Sequence, residues 1–464
     1  MNIHYLFYLF LTGLLSFYVP LQELVAQEDS GIIFVNLATE PPLMPLYLAP
    51  FQREQTDLTE SYLKKLEDVL AFDLNYNGTT SLSKRTPELN YLALSDDFNL
   101  KDWKDYSIFY VIKGRITGQA LSVWMLSVNG QAVKKVESLP LSGDFAKDRH
   151  QMHQLADAIH KSLFGTEGIA STHILYSFKT ALPNGKNQSE IWECDYDGAN
   201  PHPITHENSD AISPFYIPAK VGHTPGGFLY VSYQIGQPKI YVARLKEGMG
   251  RRLTYLKGNQ LMPAISAQRD QVAFISDVTG NPDLFIQPFS PEAGALGKPQ
   301  QVFSARQATQ GSPTFSPDGK QLAFVSDKDG SPRIYILEIP APGTHLDQIK
   351  TSLISRKNRE NTAPSWSPDG TKIAYCARSQ GERQIWIYDL ATKQERQLTE
   401  GSGHKENPCW ASNSLHVVFN SVSSQGSELY LVNLNQPKAI QITSGKGEKR
   451  FPNWEPKNSE NKNF

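Results

Sequence analysis

Ser312-Pro313-Thr314-Phe315-Ser316-Pro317-Asp318-Gly319 returns 51 residues later as Ala363-Pro364-Ser365-Trp366-Ser367-Pro368-Asp369-Gly370. Looser copies begin at Ser213-Pro214, Met262-Pro263, Asn407-Pro408 and Phe451-Pro452, so six prolines recur at intervals of 44 to 51 residues. Self-similarity at this period marks a stacked or radial array. Working outward from each proline, a short apolar stretch ends in a turn. A run of β-branched and aromatic residues follows, at 228–231, 272–275, 322–325, 373–376 and 416–419. Such runs read as strands. A third run comes after a Gly-containing loop (240–242, 284–286, 334–336, 385–387, 429–431), and a weaker fourth closes each unit. Four antiparallel strands in roughly 45 residues make one β-propeller blade.

The Pro-Asp-Gly turns join first and second strands. Proline presets the first central turn position, glycine tolerates positive φ, and Asp318 and Asp369 are expected to bond their own backbone rather than a metal. The count of blades is six. Residues 174–178, 190–194 and 202–205 form a half-copy that lacks a proline-led first strand, while residues 450–456 form a first strand with no blade behind it. The two fragments complement each other, so the C-terminal strand is expected to close the ring and remove an open sheet edge. The fold class expected is therefore multidomain: an N-terminal mixed α/β domain, then an all-β six-bladed propeller closed by the C-terminal strand.

The chain has 464 residues, enough for two domains, and a formal net charge of −2, without the basic excess of a nucleic-acid binder. The mixed-charge run 446–450 reads as solvated surface. Tyr5 to Val19 is almost wholly apolar, Pro20 ends it, and small Ala26 precedes Gln27, the pattern of a signal peptide occupying residues 1–26. An uncleaved anchor is the alternative, since residues 1–4 carry no Lys or Arg, but the run is shorter than a spanning helix requires, and no other segment resembles a membrane span. The three cysteines, Cys194, Cys376 and Cys409, lack metal-ligand spacing. Cys376 and Cys409 fall in neighbouring blades, where a bridge is one outcome, but their apolar setting points to buried, unpaired thiols.

Residues 27–166 lack the repeat. Residues 32–37 read as a strand and 40–45 as an irregular Pro-rich link. Asp57-Leu58-Thr59-Glu60 is a capping-box pattern opening a helix with Tyr62, Leu63, Leu66, Val69 and Leu70 on one face. Strands are expected at 107–117, 120–128 and 131–136, with a hairpin at Asn129-Gly130, and a last helix at about 147–163. His150, His153 and His160 on that helix read as a solvated face, because no carboxylate completes a ligand set.

Catalytic motifs are missing. The sequence holds no G-x-S-x-G elbow, no H-E-x-x-H and no phosphate-binding glycine loop. Asp195-Tyr196-Asp197-Gly198 and Asp327-Lys328-Asp329-Gly330 lack the spacing and final Glu of a calcium loop and read as hairpin turns. No cofactor or metal is expected. A secreted propeller enzyme, lactonase- or lyase-like, would need His or carboxylates converging on the channel from several blades. The residues after the register prolines are Phe215-Tyr216, Ala264-Ile265, Thr314-Phe315, Ser365-Trp366, Cys409-Trp410 and Asn453-Trp454, with none of these. That favours an adaptor.

A signal peptide, a mixed α/β domain, a propeller with S-P-x-[FW]-S-P-D-G repeats and the ending Phe451-Pro452-Asn453-Trp454-Glu455-Pro456 together resemble the TolB family. The resemblance runs from about Gly31 to Pro456. The repeats at Pro263 and Pro408 depart from it, having lost the Pro-Asp-Gly turn, and the segment from Gln27 to Gly31 is short. The resemblance implies domains at 1–26, 27–166 and 167–456 with a polar tail at 457–464. It implies a monomeric, non-enzymatic adaptor of the periplasm without a transmembrane span in its mature form. Its implied partners are the peptidoglycan-associated lipoprotein, Pal, and Tol proteins of the inner membrane, TolA among them, in outer-membrane integrity and cell division. By the same resemblance, the residues ahead of the middle prolines meet the lipoprotein: Asn259 and Gln260, Gln310 and Gly311, Asn361 and Thr362. They are polar and uncharged, suited to hydrogen bonding at low desolvation cost.

Overall fold

A computed structural model describes residues 42–457, apart from 96–99, 182–184, 221–222 and 224–225. The expected signal peptide, the strand at 32–37 and all but Lys457 of the polar tail lie outside the described residues. Those described fall within one compact unit, Pro41–Phe464.

The α/β region is built on β1 (Met44–Leu48), β2 (Gln52–Glu54), α1 (Glu60–Asn75), β3 (Thr80–Leu82), α2 (Pro87–Leu94), α3 (Leu100–Asp105), β4 (Tyr110–Thr117), β5 (Ala120–Ser127), β6 (Ala132–Pro140) and α4 (Phe145–Phe164). The sheet order is β3-β1-β4-β5-β6, with β2 also on β4. Met44 and Pro45, expected in an irregular link, begin β1, which pairs in parallel with β3 and β4. Alternation along β1 sorts its side chains. Leu46 and Leu48 join the core under α1 and α4, while Tyr47 packs with Leu89 and Trp103 on the other face. The α1 cap is Thr59, whose hydroxyl accepts from Tyr62 N–H at 3.2 Å. α4 is capped by Asp144 and stops at Gly165, whose φ of 72° closes the last turn.

From His173 onward the chain is antiparallel sheet. Four sheets of four or five strands begin at Ala211–Tyr216, Gln260–Ile265, Gln310–Phe315 and Asn361–Trp366. One eight-stranded sheet combines both ends of the region. Within it, Glu448–Trp454 pairs antiparallel with His173–Ala181 and touches Gly426–Asn433 by a single parallel pair, Ser427 with Glu448. Trp454 Nε1 donates to Thr172 Oγ1 at 2.8 Å, and His173 N–H donates to Glu455 Oε2 at 2.9 Å. The C-terminal strand therefore completes the sheet begun at His173.

The same irregularity recurs at every register proline. The preceding residue is left-handed in all six cases: Ser213, Met262, Ser312, Ala363, Asn407 and Phe451 have φ between 44° and 54°. The strand register slips at each of these points. Each is a β-bulge that bends a first strand. The Pro-Asp-Gly turns take the expected form. Asp318 accepts from Lys320 N–H and Asp369 from Thr371 N–H, and Gly319 and Gly370 have positive φ.

Candidate functional site

The α/β region sits on one face of the β-propeller and leaves the other to its loops. His416 Nε2 lies 2.7 Å from Tyr76 O, Asn435 Nδ2 donates to Gly78 O at 2.7 Å, and Gln436 Nε2 donates to Asn75 O at 3.0 Å. These contacts come from turns between first and second or third and fourth strands. Gly78 has a φ of 75°, and a Cβ there would meet Leu415 Cδ2 at 2.5 Å, so the close approach requires glycine. The loops leading into the first strands lie at the opposite end of those strands, on the far face.

A polar clamp reinforces the shared surface. Asp73 of α1 receives His153 Nδ1 of α4 at 2.8 Å and Tyr196 OH of the 195–198 turn at 2.7 Å. Arg149 Nε donates to Asp195 Oδ2 at 3.2 Å, and its Nη2 bonds Asp197. Burial pulls the His153 pKa down, but the Asp73 hydrogen bond and charge, with Asp197 behind, outweigh it and leave the value raised. Burial also raises Asp73. Both shifts favour keeping a proton within the pair. The expectation of a solvated histidine face fails here: His153 and His160 are buried because the propeller turn covers that side of α4, and only His150 is exposed. Asp73, His153 and Asp197 bring three donor atoms within 4.8 Å of one another. Arg149 already neutralises Asp197, and His153 spends Nδ1 on Asp73, so the group reads as a charge-compensated clamp rather than a metal centre.

On the far face, the six residues expected to meet a partner do not form one exposed patch. Gln260, Gln310 and Asn361 are first residues of strands and are 0%, 2% and 0% exposed. Gln260 and Asn361 turn under the loops that precede them, and Gln310 Nε2 donates to Ser326 Oγ at 3.4 Å. Gln260 Oε1 accepts from Thr254 Oγ1 at 2.7 Å, and Asn361 Nδ2 donates to Asn358 O at 2.6 Å. Asn259, Gly311 and Thr362 are partly exposed, and Asn259 Nδ2 donates to Asp277 at 2.7 Å. The exposed groups come slightly earlier and carry charge. Lys257, Arg306, Arg356 and Arg359 stand on the three loops, and Tyr255 is 81% exposed with Arg252 over its ring at 5.0 Å. Sequence reasoning stopped at the polar residues nearest the prolines. The charge lay five to eight residues ahead of the prolines, where loop length hides it.

One further expectation is corrected, and the expectation of unpaired thiols is met. Lys449, in the run expected as solvated surface, is buried on Glu428 at 2.9 Å, because it starts a first strand. Cys376 and Cys409 do not pair, and all three cysteines are free. Cys409 Sγ instead accepts Trp454 N–H at 3.3 Å. Before the prolines, the first strands also carry Glu406 and Arg450, each held in an ion pair, with Arg383 and Glu448 respectively. His404 and Glu448 also stand on first strands, and both carboxylates, Glu406 and Glu448, are paired with an arginine.

Residues 160–458 match the family described as PD40, TolB beta propeller domain. A protein named Protein TolB homolog from Protochlamydia amoebophila is 58% identical over 385 residues, 82% of either chain. One of the same name from Chlamydia trachomatis serovar D is 37% identical over 399 residues, 86% of this chain and 85% of that one. The crystal structure of TolB from Acinetobacter baumannii superposes with a TM-score of 0.72 at 24% identity, covering 90% of this chain and 98% of that one, a likeness of fold. The match spans the α/β region and the propeller alike, and on it the chain belongs to the TolB family.

Proposed function

We propose that this protein is a non-enzymatic periplasmic adaptor of the Tol-Pal system. The far mouth of its propeller binds the peptidoglycan-associated lipoprotein, and the chain links that lipoprotein to inner-membrane Tol proteins, TolA among them. A signal peptide removed near Ala26 delivers it as a monomer, and its role is in outer-membrane integrity and invagination at division. Among the described residues no helix is long and apolar enough to cross a membrane.

The domains on this reading are 27–166 and 167–456. The propeller has six blades, with the eight-stranded sheet counted as two that meet at one residue pair. What supports the count is a chain of contacts from each first strand to the next. Tyr216 N–H donates to Asn453, Trp454 N–H to Cys409, Trp410 Nε1 to Ser365 O, Trp366 N–H to Thr314 and Ser312 N–H to Met262 Sδ. The strands Ala211–Tyr216 and Gln260–Ile265 are also neighbours.

The observation that carries the binding face is its exposure opposite the α/β region, with Lys257, Arg306, Arg356, Arg359 and Tyr255 on its rim. Arginine and tyrosine are the residues on which interfaces concentrate their energy. Asn259, Gly311 and Thr362 form the floor between them, and Gln260, Gln310 and Asn361 brace it from beneath. The test is a titration of purified Pal against the double variant Arg306→Glu, Arg359→Glu. Binding should weaken by about 2 kcal/mol or more with melting unchanged. Unaltered affinity would remove the rim from the interface.

A further inference from the structure

Every loop that carries the chain from one blade to the next closes over a pair of buried or half-buried side chains. One member stands just before the apolar third strand, the other three residues before the register proline. Main-chain bonds fix the correspondence: Gln260 N–H donates to Pro238 O, Gln310 N–H to Pro282 O and Asn361 N–H to Pro332 O, at 2.9 to 3.0 Å. The pairs are Lys239 with Gln260, Asp283 with Gln310, Arg333 with Asn361, Gln384 with Lys405, Glu428 with Lys449 and Glu190 with Ala211.

Four of these places hold a fixed cation against inward-facing carbonyls. Lys239 Nζ donates to Leu256 O and Gly258 O. Lys405 Nζ donates to Gly401 O at 2.7 Å and Gly403 O at 3.0 Å. Lys449 Nζ reaches Ser444 O and Gly445 O at 3.2 and 3.1 Å, and Arg333 Nη1 reaches Ser355 O at 3.3 Å. The Glu190 carboxylate is satisfied differently, by the Glu207 and Asn208 N–H groups and the Thr205 hydroxyl.

The Asp283–Gln310 place has neither solution. Asp283 is 1% exposed and Gln310 2%. Asp283 Oδ2 accepts from Thr279 Oγ1 at 2.6 Å and Gln301 Nε2 at 2.7 Å. Its Oδ1 has no donor among the described residues, and neither has Gln310 Oε1, whose amide nitrogen is spent on Ser326 Oγ. Two buried acceptor oxygens without donors, one on a carboxylate, are costly unless something positive meets them. By the repeat register, the carbonyls of Arg306 and Ala308 correspond to those of Leu256 and Gly258 that Lys239 holds.

We propose that the space under the 303–310 loop binds a hard, oxygen-seeking cation, Ca²⁺ or Na⁺. Asp283 Oδ1, Gln310 Oε1 and the carbonyls of Arg306 and Ala308 are its ligands, and the ion does there what lysine or arginine does in four neighbouring places. An all-oxygen set with a single carboxylate suits these ions and lacks the nitrogen and sulfur donors of a zinc site. The ion fixes the loop that carries Arg306, on the far face of the propeller.

The test is calorimetric melting of the full chain, first stripped with EDTA and then given CaCl₂, NaCl or choline chloride at matched ionic strength. Saturation with the bound ion should raise Tm by about 3 °C or more, as ligand linkage requires, and choline should not. A response to CaCl₂ alone assigns Ca²⁺, and one to NaCl over choline assigns Na⁺. Asp283→Asn should abolish the response. Asp283→Lys supplies the neighbours' ammonium and should raise Tm in EDTA while losing the response. Wild-type protein indifferent to both ions would overturn the site. A full response persisting in Asp283→Asn would overturn it as well. If that variant does not fold, the wild-type titration alone decides.

Discussion

Replacing Trp454 by alanine tests whether the C-terminal strand holds the propeller shut. The indole is 3% exposed, packs in the large core shared with the α/β region and donates to Thr172 Oγ1 at 2.8 Å. Truncating a buried tryptophan costs about 3–5 kcal/mol in transfer and cavity terms. The lost hydrogen bond leaves a buried Thr172 hydroxyl, adding about 1 kcal/mol. An unfolding entropy of about 2.1 cal/mol/K per residue over the 290 or so residues of the propeller makes about 0.6 kcal/mol per degree. The expected fall in Tm is therefore about 7–10 °C, and about 4–7 °C if the α/β region melts with the propeller. Scanning calorimetry measures this, and urea unfolding shows whether the transition stays single. Thr172→Val removes this bond and the one its hydroxyl donates to Ile169 O at 2.6 Å, and should cost about 2–3 °C on the same scale. A Trp454→Ala protein melting within a degree of wild type would refute the idea that this strand closes the structure.

Three other outcomes are expected. His153→Gln should destabilise the protein in a pH-dependent way. His153 has its pKa raised above the ordinary 6.5, so its contribution is fully present below that value and is lost as pH rises through the folded pKa. The gap in Tm between wild type and variant should be widest near pH 5–6 and narrow in alkali, and melts from pH 5 to 9 check this. Cys376 and Cys409 have thiols pushed up by burial to about 12 and about 11, and burial raises Cys194 as well. Ellman's reagent at pH 8 should find no reactive thiol in the native protein and all three in denaturant. Gly78→Ala should cost about 1–3 kcal/mol through the left-handed backbone and the Leu415 contact, read as a lowered Tm with Pal binding kept.

The propeller was legible because its signals are local and repeated: Pro-Asp-Gly turns, β-branched runs, and two half-units whose ends fit. The bulges were not. A left-handed residue before proline has no motif of its own, though the six residues there, Ser213, Met262, Ser312, Ala363, Asn407 and Phe451, share the lack of a β-branch, as positive φ demands. In the α/β region the long helices were legible from periodicity and the β5–β6 hairpin from Asn129-Gly130. The short β2, β3, α2 and α3 were not, because elements of three to eight residues owe their form to tertiary packing. The far-face site was legible only in part. Sequence position pointed to the loops but not to which side chains turn inward, and Gln260, Gln310 and Asn361 turn inward. The clamp at Asp73 was illegible, since it joins residues 80 and 123 positions apart.

The bond between His173 and Glu455 spans 282 residues, and this separation sets a timetable. During synthesis every other described strand emerges before the one that completes the His173 sheet. Until then two unpaired edges face the surroundings, and each is a template for a neighbouring chain. Non-local pairing of this kind is slow. A nascent chain is therefore exposed to aggregation for longest at the step it can take only last, and a chaperone with a taste for open strand edges has its opportunity there.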